Sequence, residues 1–239
     1  MNNSPTGFRS AATLSTVAII MLAGMCLCDL LTGIFGIAEI ADSTRVISFG
    51  GQSRSPWLIG QGFVALIQSP LYIATVVFFL VWLFRIYKNL DLLESKYREF
   101  TAGWAVGWWF IPFANLVKPF QVMREAWCES DPVVDSEATF LSSSSHSAPT
   151  YMGLWWGFWI GSNIINNIVG NVVNPSSIQD VSTIGVLFLM VGVISIVPGV
   201  LCIKLVRDIT SRQQQRSANI INMQRYSPPP PPTFASDMA

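Results

Sequence analysis

Charged residues are scarce in this sequence, and their scarcity excludes an ordinary water-soluble domain. Only 12% of the 239 residues are Asp, Glu, Lys or Arg, whereas hydrophobic residues make up 51%. Soluble domains carry about a quarter charged residues, so this number of charges could hardly cover a water-exposed surface. The formal net charge is zero, which leaves no basic field to attract nucleic acid, and we expect no nucleic-acid partner.

Groups of metal ligands and catalytic residues are also missing. The cysteines Cys26, Cys28, Cys128 and Cys202 form no CxxC pair, and the only histidine, His146, lies in a serine-rich stretch. Because zinc sites need clustered Cys and His ligands, we expect no metal and interpret the cysteines as small packing residues. No nucleophile–base pair or phosphate-binding glycine loop is evident, so we expect neither a cofactor nor an enzymatic activity.

Long apolar runs are present instead. A bilayer core about 30 Å thick requires about 20 apolar residues in a helical span. The runs lack the strict alternation of barrel strands. The sequence therefore predicts an all-α membrane protein with a four-helix transmembrane bundle. The predicted spans are residues 11–40, 57–84, 152–173 and 184–206.

Lysine and arginine flank these runs unevenly, and the asymmetry predicts an orientation. Cytoplasmic loops carry an excess of Lys and Arg. With both termini in the cytoplasm, residues 1–10 contribute one basic residue, the segment 85–130 contributes six, and the chain from Lys204 onward contributes five. Only two remain for the outer loops. We therefore expect a multi-pass protein with both termini in the cytoplasm.

The rest of the chain divides into tails and a linker. Residues 1–10 form a cytoplasmic N-terminal tail before the membrane domain, 11–207. The polar, low-complexity residues 131–150 predict a flexible linker before the third span. Residues 208–239, which include five consecutive prolines, predict a disordered, proline-rich cytoplasmic tail.

The segment 85–130 between spans two and three is the most distinctive part of the sequence. Its apolar stretch, 104–117, has only 14 residues, a length typical of re-entrant or interfacial segments. Pro112 should break this stretch, and Pro119 suits the first turn of a following helix. The sequence predicts an interfacial, proline-broken amphipathic segment, with a re-entrant course still open. A fifth span is the competing interpretation, and it would place the two termini on opposite sides.

One pattern in this segment resembles a known family. It consists of Gly103-Trp104, Trp108-Trp109-Phe110-Ile111-Pro112, Asn115-Leu116, Pro119 and Arg124-Glu125 with Trp127. It is similar to a bacterial membrane family called only domain of unknown function 4328, and the resemblance covers roughly residues 12–207. The two prolines and the asparagine at fixed offsets make the pattern fairly specific. The resemblance implies a multi-span protein of the bacterial plasma membrane, and it implies no activity.

The motif offers several candidate residues. They are Trp108, Trp109, Pro112, Asn115, Pro119, Arg124, Glu125 and Trp127. The Asn115 carboxamide could satisfy a backbone carbonyl freed by a proline, and Arg124 could contact a lipid phosphate or a carboxylate. The simpler interpretation is that the motif fixes a bent interfacial element against the bundle.

Polar residues within the spans form a second candidate site. Asp29 lies in the first span, and an acid inside the membrane merits a functional hypothesis. We hypothesise that it faces the bundle, pairs with a donor from span three and forms a proton or cation site; an acid hydrogen-bonded for packing alone is the alternative. Asn163, Asn167 and Asn171 share one face of span three and predict either contacts between helices or a polar transport path.

These features leave two function classes open. The leading one is a non-enzymatic scaffold or interaction protein that contacts the lipid bilayer and a second copy of itself or another membrane protein. The alternative is a small transporter or channel-like subunit that uses Asp29 and the asparagine face. A polar cavity that reaches Asp29 would favour the transporter, and a dry, closed bundle would disfavour it.

Overall fold

The computed structural model describes residues 7–49, 56–93, 98–133, 147–172 and 181–226, which contain helices and no β-strand. The predicted all-α fold is confirmed for these residues. Two short 3-10 turns, Trp108–Phe110 and Ala114–Leu116, connect the third and fourth helices. The helices are α1 (Ala12–Phe49), α2 (Pro56–Leu92), α3 (Ala102–Gly107), α4 (Lys118–Glu129), α5 (Thr150–Val172) and α6 (Val181–Tyr226).

In the described ranges, three helices are long and apolar enough to cross a membrane. The qualifying stretches are Ala12–Asp42 in α1, Ile59–Leu92 in α2 and Thr183–Arg225 in α6. Three of the predicted spans are therefore confirmed as candidate membrane-spanning helices. The predicted span at 152–173 corresponds to α5, which is outside this set.

The long helices follow one another in the order α2, α1, α6 and α5. Helix α1 packs on both α2 and α6, and α5 packs on the far side of α6. The α1–α2 pair is antiparallel, because Gly24 approaches Leu71 whereas Gly60 approaches Phe35. In the described part of the chain, α2 and α5 make no extensive contact. A space is therefore left between these two outer helices.

Glycines bring α1 and α6 into close contact. A Cβ atom on Gly36 would lie 2.7 Å from the carbonyl oxygen of Gly185, and one on Gly192 would lie 2.8 Å from the backbone nitrogen of Gly33. Real Cβ atoms do not approach backbone this closely, so the two helices could not pack in this way with larger residues. Small residues that allow close approach are the usual means by which helices associate in lipid.

The bundle extends beyond the apolar spans at the end that residues 98–133 cover, hereafter the covered end. The indole nitrogen of Trp82 donates to the hydroxyl of Thr210 at 3.0 Å. The Gln213 side chain donates to the carbonyl oxygen of Ile86 at 2.9 Å. Both bonds join the last turns of α2 to α6, so the polar part of α6 belongs to the folded core.

The predicted disordered tail at 208–239 is wrong for residues 208–226, which form the last part of α6. Hydropathy falls after the fourth span, but Ile209, Gln213, Arg216 and Ile220 repeat at helical spacing and are buried. Their contacts stabilise a helix that hydropathy alone does not predict. Residues 227–239 with the proline run, and 134–146 with His146, lie outside the described residues.

Among the described residues between α2 and α5, no helix is long enough to be a fifth span. The apolar helix of this segment, α3, has six residues, which is too few to cross a bilayer. The predicted helix start at Pro119 is confirmed, because this proline lies in the first turn of α4. Between the 3-10 turns, Phe113 adopts a φ of 64°, a conformation that is unusual for a large side chain.

Candidate functional site

A partly open cavity of about 850 Å³ fills the space between the outer helices α2 and α5. Helices α1 and α6 also contribute to its lining, and the turns after α3 contribute at the covered end. It contains Asp29, the acid that the sequence singled out. The structure therefore contains a partly open cavity that reaches Asp29.

Asp29 is buried on α1 and is held by α2. The side-chain nitrogen of Gln68 donates to Asp29 Oδ1 at 2.9 Å. The hypothesis placed this donor on the third span, and the structure places it on the second. No Lys, Arg or His is present among the described residues that line the cavity. In the same described ranges, no group of His, Cys, Asp and Glu side chains is positioned to hold a metal ion.

Helix α5 contributes Ser162, Asn163 and Asn166 to the opposite wall. Ser162 and Asn163 donate to the Trp159 carbonyl of their own helix at 2.9 and 2.7 Å. The Asn166 amide reaches the Ser195 hydroxyl of α6 at 3.5 Å. Ser162 thus uses its only donor hydrogen, whereas each asparagine keeps its carbonyl oxygen and one amide hydrogen for a ligand.

The predicted asparagine face is divided by the cavity boundary. Asn163 lines the cavity, whereas Asn167 and Asn171 are outside the lining and bond to each other within α5 at 2.7 and 3.0 Å. Sequence reasoning missed Gln68 as a site residue. A polar amide within the uncharged second run was the signal that could have identified it.

The motif closes the covered end of the cavity through an aromatic cluster. The Trp109 ring lies 5.2 Å from that of Phe79 on α2, and 6.1 Å from those of both Trp156 and Trp159 on α5. The Trp156 indole also donates to the carbonyl oxygen of Leu116 at 3.0 Å. These contacts bridge the two outer helices, which otherwise stay apart.

This closure leaves polar atoms without partners. Trp109 Nε1 and Asn115 Oδ1 are buried and have no hydrogen-bond partner among the described residues, and the same holds for Trp108 Nε1. The backbone N–H of Asn115 donates to the carbonyl of Ile111 at 2.9 Å. That its carboxamide satisfies a carbonyl freed by a proline stays a prediction. A buried unpaired polar atom is unfavourable, so the closed arrangement has an energetic weak point at Trp109 and Asn115.

The remaining motif residues stabilise the covered end. The Glu125 carboxylate accepts hydrogen bonds from the backbone nitrogens of Glu99 at 2.7 Å and Phe100 at 3.1 Å. Burial raises the pKa of Glu125, although these two N–H groups oppose the shift. Trp127 lies edge-on to Tyr151 and carries the Arg212 guanidinium 4.4 Å above its ring. Arg124 is exposed. None of these side chains lines the cavity.

The fold and the cavity define a helical membrane-embedded protein with a partly open cavity, containing one acid, between its outer helices. Residues 54–211 match the model of the family described as Domain of unknown function (DUF4328), and the protein belongs to this family. The matched region includes the motif and three walls of the cavity, and it leaves out α1 with Asp29. No curated protein and no solved structure matches the chain.

Proposed function

We propose that this protein is a non-enzymatic transporter or channel-like subunit that binds a small polar solute in its cavity and lets it cross the membrane. The observation that supports this function over a scaffold is the partly open cavity that reaches Asp29. Acids within membrane-spanning helices are unfavourable unless they pair, and they often mark solute pathways. Here the acid has one amide partner and faces a space large enough for a small molecule.

We further propose that α5 is a fourth span, so that both termini lie in the cytoplasm of a bacterial plasma membrane. Its 23 residues extend about 34 Å as a helix, which is sufficient for a bilayer core. It runs antiparallel to α6, since Tyr151 bonds to Asp208 at 2.6 Å and Asn166 approaches Ser195. The excess of basic residues around the covered end supports a cytoplasmic position for that end.

In this topology, we propose that the segment after α3 lies at the membrane interface. Phe113 is 87% exposed and Phe110 is 68% exposed. Apolar side chains this exposed would be unfavourable in water, but they are favourable at the headgroup level. A spin label at position 113 should therefore be accessible to a lipid-soluble relaxation agent in electron paramagnetic resonance. A label at the exposed Arg124 should instead be accessible to a water-soluble one. The reverse pattern would contradict the interfacial position.

Passage through the cavity can be tested with purified full-length protein in liposomes. Stopped-flow light scattering would record how the liposome volume changes after a solute is added outside. The solutes are rubidium chloride, methylammonium chloride and glycerol. We expect at least one solute to enter faster than into empty liposomes. Asp29→Asn and Asn163→Leu should slow its entry, because both residues line the cavity.

Two control variants change the same chemical groups outside the lining. Glu39→Gln alters another buried acid of α1, and Asn171→Leu alters another asparagine of α5. Both should retain the entry rate. If no solute enters faster than into empty liposomes, or if the controls slow entry as much as the cavity variants, the proposed function is wrong.

A scaffold remains the second candidate, and one observation favours it. A Cβ atom at Gly157 or Gly161 of α5 would meet no heavy atom within 4 Å, so this small-residue pair is accessible to a helix of another copy or another membrane protein. A scaffold predicts that Gly157→Leu disrupts an oligomer seen by cross-linking in native membranes, while solute entry stays at the level of empty liposomes.

A further inference from the structure

The charge in the cavity comes from one residue. Asp29 is the only acid among the described lining residues, and no base accompanies it. Gln68 bonds to Oδ1, and in the described ranges no donor is bonded to Oδ2. A carboxylate in a low-dielectric environment attracts a cation strongly and repels an anion.

The other polar groups of the lining favour the same kind of ligand. The hydroxyl hydrogens of Ser69, Thr75 and Ser162 are donated to carbonyls of their own helices. Their oxygens remain as acceptors, together with the carbonyl oxygen of Asn163. One amide hydrogen of Asn163 and the unpaired Nε1–H of Trp109 remain as donors, and the oxygens offer partners to a ligand with N–H donors.

The walls indicate that the cation is organic. Leu22, Ile73, Val76 and Leu80 are among the apolar residues of the lining. A bare inorganic ion would lose its water against these side chains without replacement, which is unfavourable. A hydrocarbon body would instead bury apolar surface, and a volume of about 850 Å³ can hold one.

Aromatic rings complete the arrangement. Phe79, Trp109, Trp155 and Trp159 all line the cavity. They add to the apolar surface that the hydrocarbon body of an organic ligand would bury.

We propose that the cavity binds a small organic cation, namely a protonated amine on an apolar body, with the ammonium group at Asp29. The proposal deepens the proposed function by naming the ligand class. It rests on that function because both concern the same cavity. Gln68 has the role of a positioning residue, because its donation to Oδ1 fixes the carboxylate and leaves Oδ2 for the ammonium group.

Three probes of nearly equal size test the ligand class by isothermal titration calorimetry on the full chain in lipid nanodiscs. They are 2-phenylethylammonium, neutral 2-phenylethanol and anionic phenylacetate. We expect the cation to bind at least about tenfold more tightly than either of the others, because only the cation pairs with a desolvated carboxylate. Asp29→Asn should remove this preference while leaving weak binding of the neutral probe.

Control variants and flux separate this inference from the proposed function. Glu39→Gln, a buried acid outside the cavity lining, should keep the preference for the cation. Equal or tighter binding of 2-phenylethanol or phenylacetate would overturn the inference even if solutes cross the membrane. Failure of all three probes to bind would also overturn it. Tight cation binding without any solute entry would support the inference and refute transport.

Discussion

The carbonyl oxygen of Asp29 lies only 2.6 Å from the position that a Cβ atom on Gly192 would occupy. The acid of the cavity is thus located at a close approach of α1 and α6, and the absence of a side chain at Gly192 permits that approach. Stability of the bundle and the position of the acid are therefore linked at this crossing.

Gly192→Ala should destabilise the protein by about 1–3 kcal/mol, the usual effect of overpacking a close contact. The added methyl group would meet the backbone of both Asp29 and Gly33, which cannot move independently of α1. Thermal unfolding in detergent would measure the loss of stability. Gly157→Ala is the matched control, because a Cβ there meets nothing within 4 Å. A Gly192→Ala protein as stable as this control would contradict the crossing geometry.

Closure of the covered end should become more stable when the unpaired Oδ1 of Asn115 is removed. Asn115→Leu replaces this buried atom within a side chain of similar size. Replacing an unsatisfied buried group by an apolar one of similar shape is neutral or stabilising. We expect an unfolding temperature equal to or above that of the wild type, together with slower solute entry in liposomes. A large loss of stability would show that Oδ1 has a partner after all.

Replacing Phe113 by glycine should give a more stable protein than replacing it by alanine. Its φ of 64° is disfavoured for any residue with a Cβ atom, and its side chain is 87% exposed, so little packing is lost. Phe113→Gly should be more stable than Phe113→Ala by about 1 kcal/mol in chemical unfolding. At the exposed Phe110, which lies in a right-handed 3-10 turn, the order should reverse. The same order at both positions would contradict the assigned backbone conformation.

The sequence predicted what depends on local composition. Long apolar runs predicted the helices that hold Asp29 and Ser195, and Pro119 predicted the start of α4. The space between α2 and α5 could not be predicted, because it results from which helices pack together. The positions of Gln68 and the buried Arg216 depend on the same tertiary arrangement, and hydropathy does not identify polar side chains that become buried.

The stability contributed by Glu125 should fall as the pH rises. Burial raises its pKa in the folded state above the value in the unfolded chain, so the folded state binds the proton more tightly. The contribution is therefore complete below the unfolded pKa and is lost as the pH passes through the folded pKa. Relative to Glu125→Gln, the wild type should lose stability as the pH is raised from about 4, as thermal unfolding would show.

A matched control for this pH dependence is Glu99→Gln, which changes an exposed carboxyl of the same segment. This variant keeps the backbone N–H that donates a hydrogen bond to Glu125. It should retain the pH dependence of the wild type. If the difference between the wild type and Glu125→Gln stays constant with pH, the raised pKa of Glu125 is refuted.

Arg216 should be essential for the helical extension of α6. Its side chain is 7% exposed, and its guanidinium donates to the carbonyl oxygens of Leu93 at 3.1 Å and Asp131 at 2.9 Å. Arg216→Met would leave these buried acceptors without their charged donor, at a cost of about 2–4 kcal/mol. Arg225→Met removes the same charge from an exposed position in the last turn of α6 and should change stability by less than about 0.5 kcal/mol. Limited proteolysis should then release the end of α6 from the Arg216→Met protein and not from the Arg225→Met protein. Equal resistance of the two variants would mean that α6 does not need this anchor beyond its apolar span.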